Sequence, residues 1–354
     1  MNFASDNAYG VHPKILAALG EANDGTAPSY GGDGYSKISE ELLSEVFGRE
    51  VRSYLVTTGT AANGLALSAI APGYGAILCH DEAHVFCDEC NSPEFFTGGA
   101  KLMGHHGPGG KITPAMLEKT LKGFIRGEHD PKPKGVSMTN ATELGTVYSP
   151  AEVKAISDLI APRGMKLHMD GARFANAVAG LGCSPADVTW KSGVDVMSFG
   201  ATKNGAMVLD AVVFFDLALA EDFAYRRMRA GQLVSKGRYL GAQMVAYLKD
   251  GLWLDNARTA NRLAQKLAAS LSTMDHVRVA FPPEANVLFA VLPRALCAQL
   301  RASGAVFHER YPAELAESLA EHETVVRLVL SAATPEAHVD KFLNLAHVHA
   351  GVLQ

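Results

Sequence analysis

The sequence predicts an α/β protein: a large domain built on a mostly parallel sheet flanked by helices, then a smaller α+β domain at the C-terminus. Three observations lead there. Short apolar runs alternate with helix-like stretches through the first two-thirds of the chain, and the alternation changes character after Leu248. The chain has 354 residues, 48% hydrophobic and 19% charged, which suits a soluble protein of about two domains at roughly 150 residues each. The strand-like runs are 53–56, 76–79, 135–138, 166–169 and 194–197, each continuous and apolar between Gly, Pro or polar residues. Strands buried on both faces read this way. Helical spacing falls at 61–70, 114–124 and 151–160, the last opening on Ser149-Pro150 with Glu152 in its first turn, an N-cap followed by proline at the first helical position. Beyond Leu248 come a long helix at 253–271, strands at 277–279 and 287–291, a helix at 295–302, a strand at 325–329 and a last helix at 335–349. The domains are therefore read as 1–248, with an N-terminal arm over 1–20, and 249–354.

Composition narrows the function. A net charge of -5 gives no attraction to nucleic acid or an anionic membrane, and no run approaches the ~20 apolar residues of a membrane-spanning helix. The first residues, Met1-Asn2-Phe3-Ala4-Ser5-Asp6, lack the basic and apolar regions of a signal peptide. Five scattered cysteines suit reduced thiols, so a cytoplasmic location is expected. Cys87-Asp88-Glu89-Cys90 matches C-x-x-C, but no second pair follows for zinc and no thioredoxin-like unit surrounds it. His80, His84, His105 and His106 lack a ligand spacing such as H-E-x-x-H, and the tandem pair reads as part of an exposed glycine-rich loop. No metal is expected.

Three segments carry chemistry. In 194–205 a buried strand runs out into Ser198-Phe199-Gly200-Ala201-Thr202-Lys203-Asn204-Gly205, placing one lysine among small residues that leave room for something flat. A lysine amine forms Schiff bases with carbonyl compounds, and pyridoxal 5′-phosphate (PLP) is the commonest cofactor to use one. A solvated loop lysine is the plain alternative. The second segment, His168-Met169-Asp170-Gly171-Ala172-Arg173, lies at a strand's carboxyl end, where open α/β sheets place ligands. An aspartate there pairs with a pyridinium nitrogen, or simply caps a helix. The third, Thr57-Thr58-Gly59-Thr60-Ala61-Ala62-Asn63-Gly64, opens a helix whose first amides form an anion site, fit for a phosphate. Neither a Walker A spacing nor a G-x-G-x-x-G turn is present.

Taken in order, these pieces resemble fold-type-I PLP enzymes, and more narrowly the low-specificity L-threonine aldolases and phenylserine aldolases. Further matching pieces are Ser5-Asp6-Asn7, Tyr30-Gly31-Gly32-Asp33, Ala83-His84, 141–148 and Val326-Arg327-Leu328-Val329, so the resemblance spans almost the whole chain. It implies that Lys203 carries the cofactor, that Asp170 faces the pyridine nitrogen and that Gly59 and Thr60 bind the phosphate. Thr202 would join them, and His84 would stack on the ring and take part in proton transfer. It implies that Arg173 and Arg327 grip the substrate carboxylate with help from Ser5, since a planar guanidinium meets both oxygens. Without the resemblance, an ion pair is the simpler reading of each arginine. Tyr30, Asp33 and Lys236 are implied to reach a neighbouring subunit's site, giving a homodimer or homotetramer with shared active sites.

One departure stands out. Where better-known threonine aldolases carry a histidine that helps contact the substrate hydroxyl, this chain has Glu143, in Asn140-Ala141-Thr142-Glu143-Leu144-Gly145. The implied reaction cleaves an L-β-hydroxy-α-amino acid to glycine and an aldehyde. A β-eliminating lyase or an aminotransferase shares the same cofactor residues, and fold analogy does not separate them. A non-catalytic PLP-fold sensor is expected to lack Lys203, Asp170 or the arginines.

Overall fold

The computed structural model describes residues 1–316 and 318–350. Seven strands form the larger sheet: β1 (Arg52–Val56), β2 (Gly75–His80), β3 (Lys101–His105), β4 (Lys132–Thr139), β5 (Lys166–Gly171), β6 (Val196–Gly200) and β7 (Asp210–Phe214). Their spatial order is β1-β7-β6-β5-β4-β2-β3. β2 pairs in parallel with β3 and β4, as do β4 with β5 and β5 with β6, whereas β7 is antiparallel to both β6 and β1. The carboxyl ends of β1, β2, β4, β5 and β6 consequently open on one edge. That edge holds the site.

Helices cover both faces, as the fully buried strands require. One face packs Phe47, Phe174, Phe199 and Trp253 into a buried aromatic cluster, with Phe47 and Phe199 rings 6.1 Å apart and edge to face. The other face is covered chiefly by helix Gly59–Ile70, whose Leu65, Ala66 and Ile70 pack on Ile77, Val196 and Val212. The helix expected at 151–160 forms as Pro150–Ile160, closed by a capping box in which Ser149 and Glu152 bond each other's backbone. β3 and β7 receive no strand in the sequence reading. Gly104 weakens the first as a strand signal, and is needed because a Cβ there would lie 2.8 Å from the Phe86 ring.

The smaller sheet is antiparallel: β8 (Arg278–Val279), β9 (Val287–Pro293), β10 (His308–Glu309) and β11 (Glu323–Val329), in the order β10-β11-β9-β8. Helices Leu252–Leu271, Arg294–Ala302 and Glu336–Ala350 complete it. The chain turns toward this part through Asp250 (φ 56°) and Gly251 (φ 72°). The N-terminal arm departs from its expected place in the large domain. Phe3 is fully buried against Phe342 of the C-terminal part, rings 5.3 Å apart, and its backbone bonds Val306 and Val329. Farther along, the His12 amide donates to the Gly205 carbonyl at 2.8 Å. The arm thus straps the two parts together across the site edge.

Gly200 and Gly205 also differ from expectation. Rather than leaving room for a flat ligand, Gly200 lets β6 approach the chain after β5: a Cβ would lie 2.5 Å from the Ala172 carbonyl oxygen. Gly205, at φ +108°, packs on His12 of the arm. Gly200→Ala is expected to lower stability by about 1–3 kcal/mol, the usual cost of overpacking. Denaturant unfolding checks this, and an unshifted midpoint would refute the packing role.

Candidate active site

Each strand end supplies one part of a single cavity of about 390 Å³. From the turn after β1 come Thr57 to Thr60 and, one helical turn on, Asn63; from the segment after β2 comes His84; from the loop after β4, Glu143. β5 ends in Asp170, and β6 leads into a 3-10 turn, Thr202–Asn204, that carries Lys203. The sequence candidates Gly59, Thr60, His84, Glu143, Asp170, Arg173, Thr202 and Lys203 all line this cavity. Ser5 and Arg327 join His84, Glu143, Arg173 and Lys203 in an adjoining pocket of about 160 Å³.

Asp170 is 2% exposed. The Ala172 amide donates to its Oδ1 at 3.0 Å and the Asn63 side-chain amide to its Oδ2 at 2.9 Å. Burial pushes its carboxyl up, but the positive field of His84 and the Ala172 bond outweigh that and hold it below the usual carboxylate range. A fixed carboxylate deep in the cavity suits a cationic ring nitrogen. Lys203 stands near it, with its amine lowered first by burial and then by the Arg173 charge. A lowered amine is the better nucleophile toward an aldehyde.

The mouth of helix Gly59–Ile70 is built for an anion. Thr58 caps it by accepting from the Ala61 amide at 3.1 Å, and the Gly59 and Thr60 amides, in the first turn, have no intrahelical acceptor. A Cβ on Gly59 would meet nothing within 4 Å, so the approach is open. Thr202 is positioned from below: its hydroxyl accepts from the Leu209 amide at 3.0 Å. Asp210, buried beside it and bonded by the Ala201 amide at 3.0 Å, is pushed up to about 6 by burial.

The two arginines are not equivalent. Arg173 is bound through Nε and Nη2 to Asp6 of the arm, at 2.8 and 3.0 Å, and Asn286 donates to the same carboxylate at 3.1 Å. The ion pair and the site residue expected of this arginine are therefore the same side chain, with only part of its fork facing the pocket. Arg327 has a buried Nε without a partner and is lowered to about 10, first by burial and then by Arg173. Among the described residues it forms no salt bridge.

His84 carries a feature the sequence did not reveal. Its Nδ1 lies 2.8 Å from Oε1 of Glu89, whose side chain is 0% exposed, and Asn63 donates to that oxygen at 2.7 Å. The Glu89 bond is the main cause raising the His84 pKa. Glu143 is 8% exposed; its Oε1 accepts from the His84 backbone amide at 2.8 Å and its Oε2 is buried without a partner, while burial raises its carboxyl. Asn63, Glu89, Asp6 and Asp210 went unassigned. Only Asn63 had a legible signal, four residues after Gly59 and so on the same helical face.

Three expected residues lie elsewhere. Asp33 caps helix Gly34–Phe47, accepting from the Ser36 amide at 2.9 Å and the Ser36 hydroxyl at 2.8 Å, so both its oxygens are engaged. Tyr30 and Lys236 are exposed and belong to neither pocket of this chain. Of the tandem histidines, His105 closes β3 instead of lying in the exposed loop expected, whereas His106 is an exposed loop residue that gathers with His80 and Asp81. The His80 ring is already engaged there, by the Glu82 amide at 3.0 Å and the Gly107 carbonyl at 2.9 Å.

Comparison with known proteins agrees with this geometry. The beta-eliminating lyase family matches residues 2–293. A low specificity L-threonine aldolase from Pseudomonas sp. (strain NCIMB 10558) is 45% identical over 86% of this chain and 88% of its own length. The structure of Leishmania major threonine aldolase superposes with a TM-score of 0.92 at 28% identity, covering 99% of both chains. A serine palmitoyltransferase structure with a PLP internal aldimine shares the fold at a TM-score of 0.73 and 16% identity, over 100% of this chain and 87% of that one. The architecture is that of fold-type-I PLP enzymes, and the chain belongs to the beta-eliminating lyase family, within its low-specificity L-threonine aldolase group.

Proposed function

We propose that this protein is a PLP-dependent aldolase, a carbon–carbon lyase that cleaves L-β-hydroxy-α-amino acids to glycine and an aldehyde. The observation that carries the reading is the placement of Lys203 on both the larger cavity, with Asp170, and the adjoining pocket, with Arg327. The donor set fits PLP: an amine for its aldehyde, a fixed carboxylate for its ring nitrogen, and open helix amides with Thr60 for its phosphate. Buried atoms left without partners, Asn63 Oδ1 and Glu143 Oε2, line the same space and are consistent with a polar occupant.

Bound there, PLP supplies an electron-poor pyridinium ring that accepts the electron pair of a bond broken at the substrate's α-carbon. The protein's part is selection and proton transfer. Arg327, with the free edge of Arg173 and the Ser5 hydroxyl, would hold the α-carboxylate, and fixing that group would select which α-carbon bond is presented for cleavage. Asp170 keeps the ring nitrogen protonated. His84 Nε2, which makes no bond to the protein, takes the β-hydroxyl proton, directly or through water. Glu143, tied through Oε1 to the His84 backbone amide, would present Oε2 to the same hydroxyl in place of the histidine of other threonine aldolases. Tyr30 and Lys236, exposed and remote from this chain's cavity, serve a neighbouring subunit, so the working form is a homodimer or homotetramer. Its five free thiols suit the cytoplasm. Among the described residues no helix is long and apolar enough to cross a membrane.

The reading is tested by incubating the PLP-loaded protein with L-threonine, L-allo-threonine and L-phenylserine. Glycine with acetaldehyde or benzaldehyde is expected, whereas ammonia with an oxo acid would identify an eliminating lyase instead. Glu143→Gln is expected to reduce turnover at least about tenfold while the substrate-induced change in cofactor absorbance persists. Unchanged turnover would remove Glu143 from the chemistry.

A further inference from the structure

We propose that Glu89 is a positioning residue that fixes the His84 proton on Nδ1, leaving Nε2 as the one imidazole nitrogen that exchanges protons in the cavity. The argument starts from Asn63. Its side-chain nitrogen lies 2.7 Å from Glu89 Oε1 and 2.9 Å from Asp170 Oδ2. Reversing the amide would aim its oxygen at two carboxylate oxygens, so the nitrogen must face them and donate to both. Glu89 Oε1 is thereby an acceptor. Its contact with His84 Nδ1 at 2.8 Å is then an N–H donating to oxygen. Among the described residues Glu89 Oε2 has no partner, so a proton held by Glu89 can be placed there while Oε1 accepts from both neighbours.

Glu89 is sealed from the cavity by His84 itself. The carboxylate has 0% exposure, the imidazole 36%. Glu89 therefore touches neither substrate nor cofactor and acts only through the ring it holds. The other charged groups facing His84 are Asp170 and Lys203, whose effects oppose one another. Glu143 reaches its backbone, and Asp88, Arg310, Arg327 and Arg173 stand around the adjoining pocket. Among the described residues only Glu89 bonds the ring. Its main effect is to stabilise the imidazolium, so His84 binds its proton more tightly than a free histidine does.

The sign of the pH effect follows. A base works when unprotonated, so the acid limb of kcat/KM tracks the raised His84 pKa. Removing the Glu89 charge lowers that pKa and moves the limb to lower pH, while the weaker base reduces the plateau rate. The turnover consequence rests on the aldolase reading, whereas the proton's location does not.

The test uses the full chain with imidazole 15N NMR and no substrate. Neutral wild-type His84 is expected to carry its proton on Nδ1. In Glu89→Gln, which keeps the acceptor oxygen and the side-chain shape, the titration midpoint is expected to fall by about one pH unit or more. The acid limb of kcat/KM in the PLP-loaded variant should fall with it, with plateau kcat down about tenfold. A wild-type proton on Nε2, or a midpoint unmoved by the substitution, overturns the proposal. The wild-type measurement alone decides the tautomer if the variant does not fold. Failure of the aldolase reading would leave the NMR result standing and change only the reaction products.

Discussion

The site depends on keeping three carboxylates, Asp170, Glu89 and Glu143, buried within reach of one another at the edge of a sheet. Buried like charges repel strongly, and an unpaired buried carboxylate neutralises itself unless fixed donors face it. Asn63 supplies two of those donors from a single amide, bridging Asp170 and Glu89. The Ala172 amide and the His84 backbone amide supply two more. This network sets which carboxylate stays ionised and which is raised. Asp170 is held low beside His84, while Glu89 and Glu143 are pushed up by burial. The network thus keeps Asp170 ionised in the cavity and leaves Glu143 beside it, and Glu89 behind His84, raised toward holding a proton.

The fold places those groups by bringing strand ends together. Asp170 and Lys203 come from neighbouring strands β5 and β6, paired in register from His168 with Val196 to Gly171 with Phe199. The glycines at both strand ends let the chains pass closer than any side chain would permit, since a Cβ at Gly171 would lie 2.5 Å from the Ser198 carbonyl oxygen. The arm then closes the opposite side. By tying Arg173 through Asp6 while Phe3 anchors in the C-terminal core, it makes the corner around Arg173 and Arg327 a joint product of both sheets and the first residues of the chain.

Much of this was legible in the sequence, for identifiable reasons. Asp170, Lys203, Gly59 and Thr60 stand at carboxyl ends of apolar runs, where a periodicity argument and the chemistry of the side chain point the same way. The parallel core strands read correctly because burial on both faces makes them continuously apolar. β7 was obscured because Asp210 splits the apolar run from Ala206 to Phe215 in which it lies. Glu89 was hidden inside a C-x-x-C run that drew attention to its cysteines. Its burial depends on a turn through Cys90 and Asn91 at positive φ, a tertiary fact with no local periodicity. Asp33, in the conspicuous Gly-Gly-Asp, caps a helix within this chain, a local role that the run Asp33-Gly34-Tyr35-Ser36 does not announce.

The central claim is that this cavity binds PLP through Lys203. The most direct measurement is borohydride reduction of the PLP-loaded protein followed by peptide mass mapping. The account predicts the pyridoxyl mass on the peptide containing Lys203. The same mass on Lys236 or another lysine, with Lys203 unmodified, would contradict it.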